Sequence, residues 1–263
     1  MKSVLITGIS KGIGRAIAEK FLKEGYFVYG TFFKDKNKAE ELIANYGKDR
    51  VVLYGPYDFT VEDEISRFVD KVKDKKIDSL ICNAGIFSEN DDFNEFSLDE
   101  FKMTMNCNFY APLILSIGLK DCMNFGGSIV IMSSNDAYSG AYSSISYTVS
   151  KSAVISLMRC LSVNFGKKNI RVNSVAPGAI DTDMNTPEQM NIAPYFSPTS
   201  RAGSPEDVAN VIYFLASEQA SFINGENITI DGGYSNVSIL LKSEADPLLS
   251  KTLQQFIKNA KKN

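Results

Sequence analysis

Tyr147 and Lys151 stand four residues apart in Tyr147-Thr148-Val149-Ser150-Lys151, so on a helix the phenol and the ammonium project from one face. Such a pair can exchange a proton with a bound substrate, and the chain has few other means of doing so. It contains no histidine. That removes Ser-His-Asp and Cys-His nucleophiles, histidine-ligated zinc and any imidazole base, leaving Tyr, Lys, Asp, Glu and Cys for proton chemistry. Cys82, Cys107, Cys122 and Cys160 are scattered without a C-x-x-C pair. Neither a disulfide framework nor a metal site is expected from them. The Tyr–Lys spacing alone is a weak signal. With 12 tyrosines and 22 lysines in 263 positions, about one Y-x-x-x-K arises by chance, and this is the one the chain has. Its weight depends on what surrounds it.

A second chemical feature is Thr7-Gly8-Ile9-Ser10-Lys11-Gly12-Ile13-Gly14, a G-x-x-x-G-x-G run between an apolar strand and a helix that begins near Gly12. Gly8 permits a tight turn, Gly12 lets the backbone approach a pyrophosphate, and Gly14 allows close helix–strand packing. The helix N-terminus adds free N–H groups and positive dipole character. Gly8, Ser10, Lys11, Gly12, Ile13 and Gly14 are therefore candidate dinucleotide-binding residues. The second strand ends in Thr31-Phe32-Phe33-Lys34, without the Asp or Glu that NAD-selective proteins place there for the ribose hydroxyls. Lys34 and Lys11 favour the 2′-phosphate of NADP(H) over NAD(H), and Thr31 and Lys34 join the candidate cofactor residues.

The elements that must position these groups read as an alternation. Apolar β-branched runs at Ser3–Thr7, Phe27–Phe32, Val51–Tyr54, Ile77–Cys82, Ser128–Met132, Arg171–Ala176 and Asn227–Ile230 read as strands. Helical spacing separates them, as at Ile13, Ile17, Phe21 and Leu22 or at Ile65, Phe68, Val69 and Val72. This pattern predicts an α/β fold: one domain with a doubly wound, mainly parallel seven-stranded sheet and helices on both faces. The domain is expected over 1–235, with a lid-like excursion at 183–204 that carries Pro187, Pro194, Pro198, Tyr195 and Phe196. Residues 236–263 read as a tail whose Leu248, Leu249, Leu253, Phe256 and Ile257 line one helix face, suited to docking or subunit contact. Net charge is −3 with no basic block in the body of the chain, so nucleic acid is not an expected partner. No apolar run approaches the roughly 18 residues of a membrane span. The N-terminal run, which stops at Thr7-Gly8, reads as a buried strand, so a cytoplasmic location without membrane contact is expected.

Further motifs follow in order: Cys82-Asn83-Ala84-Gly85 closing the fourth strand, Asn108 in the next helix, Ser134 at a strand end 13 residues before Tyr147, Pro177-Gly178-Ala179-Ile180-Asp181-Thr182 after the sixth strand, and Ile230-Asp231-Gly232-Gly233. With the glycine loop and the Tyr–Lys pair, they make residues 1–235 resemble the short-chain dehydrogenase/reductase family, which implies a Rossmann fold. The resemblance implies Tyr147 as general acid/base and Lys151 as the group that holds the nicotinamide ribose and lowers the tyrosine pKa. It implies Ser134 on the substrate oxygen and Asn108, with Asn106 as a rival, anchoring a water in a proton relay. Asp58 matches an adenine-contacting aspartate, and Asn83, Ala84 and Gly85 line the cofactor. Pro177 and Gly178 belong to the same cofactor-binding motif, whose Ile180 and Thr182 meet the carboxamide. A phenol with a pKa near ~10 is too fully protonated to be an efficient base at neutral pH, and a neighbouring ammonium together with the positive nicotinamide ring favours its ionised form. In reduction, hydride would reach a carbonyl carbon while Tyr147 protonates the oxygen and Ser134 hydrogen-bonds it.

The expected substrate is a small carbonyl/alcohol pair: a ketone or a 3-oxoacyl group, either free or carried on acyl-carrier protein as in the family's 3-oxoacyl-[acyl-carrier-protein] reductases. The region before the fifth strand, Asp121 to Gly127, lacks the bases that would meet an acidic carrier, although Lys167 and Lys168 remain before the sixth. Asp136 and Tyr138 are placed to face a polar substrate. A Tyr–Lys spacing of four argues against the enoyl-reductase branch. Alternatives are a non-catalytic dinucleotide-binding regulator and an NAD-dependent alcohol or sugar dehydrogenase. The resemblance also implies a homo-oligomer, tetramer or dimer, packed through helices spanning about 98–123 and 145–166.

Overall fold

Alternate residues of a strand point to opposite faces, and here both faces are apolar. The computed structural model describes residues 1–88, 94, 96–140, 143–238, 242, 246, 249–251, 255 and 258. In β1 (Ser3–Ile6), Val4 and Ile6 enter one core cluster and Leu5 the other. In β4 (Ile77–Cys82), Leu80 and Cys82 face one side and Ile81 the opposite side. In β5 (Met123–Met132), Ile129 and Ile131 are split from Val130 and Met132 in the same way. Two cores, one on each face, follow from that alternation.

With β2 (Phe27–Thr31), β3 (Val51–Tyr54), β6 (Arg171–Pro177) and β7 (Asn227–Ile230), the strands form one sheet in the order β3-β2-β1-β4-β5-β6-β7. Every pairing is parallel. On one face, α1 (Gly12–Lys23), α2 (Lys36–Tyr46) and α8 (Pro205–Ala216) contribute Ile17, Phe21, Leu42, Val208 and Ile212 to the core. On the other, α3 (Glu62–Val72), α5 (Ala111–Gly118) and α6 (Ile145–Phe165) contribute Ile65, Phe68, Leu115, Val154 and Met158. Strand order reverses between β1 and β4, which opens a crevice at the strands' carboxyl ends.

Two elements differ from the sequence expectation. The helix expected over about 98–123 is α4 (Leu98–Met105), a π-helical turn at Asn106–Tyr110, and then α5. Pro112 has no N–H to give the Asn108 carbonyl four residues back, so the regular ladder cannot run through this point. β5 begins at Met123 rather than Ser128, with a register shift opposite Ile77–Ser79 and Gly126 at φ +81°. A strand that contains a glycine bulge does not read as an apolar run. The expected lid carries α7 (Pro187–Phe196), which opens on a Thr186/Gln189 capping box and buries none of its residues. Of the tail positions expected on one helix face, Leu248, Leu253, Phe256 and Ile257 lie outside the described residues. The described ones show helical backbone bonding from Lys242 to Ser238, Asp246 to Lys242 and Ser250 to Asp246. Among the described residues no helix is long and apolar enough to cross a membrane.

Phe68 is fully buried, and its ring packs against those of Tyr54, Tyr57 and Phe59. Phe68→Ala is expected to cost about 3–5 kcal/mol of stability, through lost burial plus the cavity left behind. Urea unfolding followed by circular dichroism measures this, and a loss below about 1 kcal/mol would contradict the packing described.

Candidate active site

The glycine loop is shaped by one close approach. A Cβ on Gly14 would lie 1.9 Å from the Gly8 carbonyl oxygen and 2.5 Å from Asn83 Nδ2, so no side chain fits there. Gly8 and Gly12 both take positive φ, +72° and +54°, which favours glycine at each. The N-terminus of α1 at Lys11 has no side-chain cap, which leaves its first N–H groups pointing into the crevice side of the loop. That is the arrangement a phosphate needs.

Thr7 holds the loop to the neighbouring strand. Its hydroxyl accepts from the Asn83 and Ala84 backbone N–H groups at 3.0 and 2.9 Å. Asn83 Nδ2 in turn donates to the Thr7 and Gly8 carbonyls, both at 3.0 Å. The buried Thr31 hydroxyl accepts from Gly8 N–H at 3.0 Å. Asn83 and Thr31 therefore shape the loop by direct hydrogen bonds. Ser10 and Ile13 lie on it, partly exposed.

Tyr147 and Lys151 share one face of α6, as their spacing predicts. Lys151 is buried, and its Nζ donates to the Met132 carbonyl at 2.9 Å and sits 5.5 Å from the centre of the Tyr147 ring. One residue on, the Ser133 hydroxyl donates to the Lys151 carbonyl at 2.9 Å, so the end of β5 and α6 are joined at two adjacent points. Ser134 caps the short turn Asn135–Tyr138 and accepts from Asp136 N–H at 3.1 Å. Its hydroxyl is also the hydrogen-bonding neighbour of both the Tyr147 phenol and the Asp136 carboxylate.

Asn108, in the π-turn, is buried and exchanges two bonds with the Ile86 backbone at 2.9 Å each. Its Nδ2 also donates to Ser150 Oγ at 3.1 Å, and Ser150 donates to the Tyr147 carbonyl at 2.7 Å. Asn106 instead donates to the Thr60 carbonyl, so of the two asparagines Asn108 is the one joined to the Tyr–Lys helix. A Cβ on Gly85 would lie 3.1 Å from Asn108 Oδ1 and 3.4 Å from Lys151 Nζ, so the three converge.

Burial pushes the Tyr147 phenol up to about 12, against the Ser134 hydroxyl, which lowers it; the negative Asp136 raises it further. Burial pushes the Lys151 ammonium down to about 8. The polypeptide's own groups thus favour the protonated phenol, and burial is the largest cause for both groups. Burial also raises the nearby Cys107 thiol to about 12, which removes it from proton chemistry near neutrality.

The remaining predicted residues spread along the crevice. Gly178, after Pro177 at the end of β6, donates to the Ile230 carbonyl, and a Cβ there would lie 2.7 Å from that of Asp231. Ile180 is buried and bridges to Gly203 across the feet of the lid. The Thr182 methyl would lie 3.3 Å from a Cβ on Gly12, which places the lid's first residues over the glycine loop. Asp58 Oδ1 accepts from the Thr60 N–H and hydroxyl at 3.0 and 2.7 Å. Lys34 lies over the Phe33 ring, while Lys11 pairs with Asp183 at 3.2 Å and Asp35 at 3.8 Å. Asp136 stays with Ser134 and Tyr147, but the Tyr138 hydroxyl turns to Asn227 and Thr229 on β7.

Sequence reasoning missed Thr7, Ser150, Asp35 and Asp183. Ser150 lies inside the Tyr–Lys stretch and could have been read as a partner one turn along. Asp35 and Asp183 each follow directly on a residue the motifs single out, Lys34 and Thr182, but belong to no motif themselves. It also missed Phe87, whose ring packs edge-on against Tyr147 at 5.2 Å.

A glycine loop at the switch point of a parallel sheet, with a half-buried Tyr147 and a buried Lys151 on one helix face, suits a dinucleotide-dependent oxidoreductase. Comparison with known proteins gives the family. A family model described as enoyl-(acyl carrier protein) reductase matches residues 8–235. A short-chain dehydrogenase/reductase from Pestalotiopsis microspora is 32% identical over 252 residues, covering 88% of this chain and 94% of its own. A 3-oxoacyl-[acyl-carrier-protein] reductase from Aquifex aeolicus is 34% identical over 243 residues, covering 88% and 96%. The crystal structure of a short-chain dehydrogenase from Burkholderia cenocepacia in complex with NADP superposes with a TM-score of 0.83 at 30% identity, covering 90% of this chain and 98% of that one. The chain belongs to the short-chain dehydrogenase/reductase family, the NAD(P)-dependent oxidoreductases.

Gly14→Ala forces the Gly8 carbonyl and Asn83 apart, at an overpacking cost of about 1–3 kcal/mol. Dinucleotide affinity, read by fluorescence titration with NADPH, is expected to fall about tenfold or more. Gly166→Ala, where a Cβ meets nothing within 4 Å, should leave it unchanged. Equal affinity in the two variants would exclude the loop as the phosphate site.

Proposed function

We propose that this protein interconverts a ketone and a secondary alcohol with NADP(H), and that Tyr147 is the general acid/base. The observation that carries this reading is the convergence of Ser134, Tyr147, Lys151 and Asn108 beside the glycine loop, with the phenol held in its donor form. The uncapped N-terminus of α1 and the Gly8–Gly14 cradle fit a pyrophosphate, and the bound dinucleotide supplies hydride to the carbonyl carbon. Ser134 hydrogen-bonds the carbonyl oxygen as charge builds on it, and Tyr147 gives that oxygen its proton. Lys151 holds the nicotinamide ribose, and Asn108, tied to Ile86 and Ser150, fixes the far side of the relay. Ser10, Ile13, Asp58, Asn83, Ala84, Pro177, Gly178, Ile180 and Thr182 line the remainder of the dinucleotide site.

NADP(H) is the proposed cofactor because Lys11 and Lys34 flank the end of β2 and relatives of this chain crystallise with NADP or NADPH. Asp35, 3.8 Å from Lys11, favours a second reading in which NAD(H) is used. Within the ketone class, a free small molecule is preferred over a carrier-bound acyl group. Lys168, one of the two bases left for an acidic carrier, is already paired with Asp121. The catalytic unit is residues 1–235, with 183–204 as substrate lid and 236–263 as a docking tail. Met103, Tyr110, Ile117 and Val163, exposed on the helices of one face, support a homo-oligomer.

The direct test is turnover of a panel of ketones, polar and aliphatic, with NADPH and with NADH. Tyr147→Phe is expected to lower kcat by about 10²–10⁴-fold with the NADPH Kd largely intact. A residual rate near that of the wild type would exclude Tyr147 as proton donor. Tight NADPH binding with no oxidation by any ketone would favour a dinucleotide-sensing role.

The pH dependence has a definite sign. Tyr147, at about 12, stays protonated through the working range, whereas Lys151 loses its proton as pH rises through about 8. The kcat/KM for ketone reduction should therefore be level below about 7 and fall on the alkaline side, approaching tenfold per pH unit. A profile level to pH 10 would mean that the lysine charge is not needed.

A further inference from the structure

The lid is weakly anchored by its own residues. Its two feet are joined by the Ile180–Gly203 bridge and by backbone bonds from Asp181 to Gly203 and from Gly203 to Ala179. Near the first foot, Asp183 reaches Lys11 and Asn185 Nδ2 donates to the Ile180 carbonyl at 2.6 Å. Between the feet, α7 buries none of its residues. Its inner face, Met190, Ala193 and Pro194, is only half-buried, so contacts at its ends add to what keeps it in place.

Just past the C-terminal end of α7, Ser197 and Thr199 donate to the Gly232 carbonyl, and further contacts come from the tail, beyond the residues 8–235 that the family model covers. The Tyr195 hydroxyl donates to Asp246 Oδ2 at 2.7 Å. Lys242 Nζ donates to the Tyr195 carbonyl and lies 4.2 Å from the centre of the Tyr195 ring and 5.1 Å from that of Phe196. The two rings meet edge to face at 5.2 Å, so one ammonium engages both. Lys242 and Asp246 are four apart, the Asp246 N–H donates to the Lys242 carbonyl, and both side chains contact α7.

We infer that Lys242 and Asp246 are positioning residues for the lid, holding Tyr195 and Phe196 so that the tail sets how tightly substrate is retained. The effect on substrate rests on the reading of 183–204 as the substrate lid; the contact between tail and α7 does not. Neither residue reaches the Tyr147 cluster, so their effect is expected on KM rather than on kcat.

The experiment uses the full chain and two readouts: ketone kinetics with NADPH, and amide hydrogen exchange of residues 187–196 without substrate. Tyr195→Phe, Asp246→Ala and Lys242→Ala are each expected to raise KM about three- to tenfold, with kcat and the NADPH Kd within twofold of the wild type. Exchange in α7 should quicken by a similar factor. Asp246→Asn keeps an acceptor for the phenol and Lys242→Arg keeps a cation over the rings, so both should stay near wild type. Unchanged exchange in Tyr195→Phe and Asp246→Ala would overturn the tail contact. Faster exchange with an unchanged KM would overturn the positioning role. If no ketone is turned over by the wild type, the ketone reading fails, and the exchange result alone then decides the contact.

Discussion

The structure around the site depends on burying one ammonium. Lys151 lies inside a low-dielectric interior with the Met132 carbonyl as its hydrogen-bond partner at 2.9 Å. A fall from 10.5 to about 8 corresponds to roughly 3 kcal/mol of disfavoured charging. Because the folded pKa lies below the unfolded one, this penalty is largest below about pH 8. It is relieved as pH rises toward the unfolded value, the opposite of a salt-bridged lysine. Packing elsewhere must offset it. The α6 contacts of Val154 and Met158 with the core, and the Ser133 bond to the Lys151 carbonyl, hold the helix where the ammonium has a partner.

The same requirement explains the irregular helix opposite. Asn108 meets Ser150 and both polar groups of Ile86 from a widened turn, and Pro112 favours that turn by breaking the ladder four residues later. Across the crevice, Thr7 and Asn83 join β1 and β4 at the point where strand order reverses. Loop, asparagine and lysine are thus fixed to one another through three strand ends rather than through flexible connections. Parallel strands suit this because their carboxyl ends all emerge on one edge.

Much of this was legible in the sequence because the signals are local. Seven apolar runs gave seven strands, and the glycine loop and the Tyr–Lys spacing each report on a single turn of chain. What escaped was non-local or masked by glycine and proline. The π-turn is indistinguishable from regular helix by hydrophobic period, since only the missing N–H of Pro112 marks it. The Lys11 pairing joins residues 11, 35 and 183, and no spacing rule connects them. The Lys242 contacts span 47 residues to an aromatic pair that, in the sequence, reads only as a proline-rich excursion. How deeply the phenol is packed, which raises its pKa, is likewise a tertiary fact that a four-residue spacing does not carry.

The packing of the phenol bears on how the site divides its work. With Tyr147 near 12 and Lys151 near 8, the protein alone favours the form in which phenol and ammonium both carry protons at neutral pH. On the proposed reading this is the form that carbonyl reduction consumes, since the phenol is the donor. Asp136 pushes the same way, because a carboxylate beside Ser134 opposes a second negative charge on Tyr147. Alcohol oxidation needs the phenolate, so the positive charge that stabilises it must come from outside the polypeptide's own desolvated groups. On that reading, burial of Tyr147 and the charge of Asp136 together favour the donor form of the phenol.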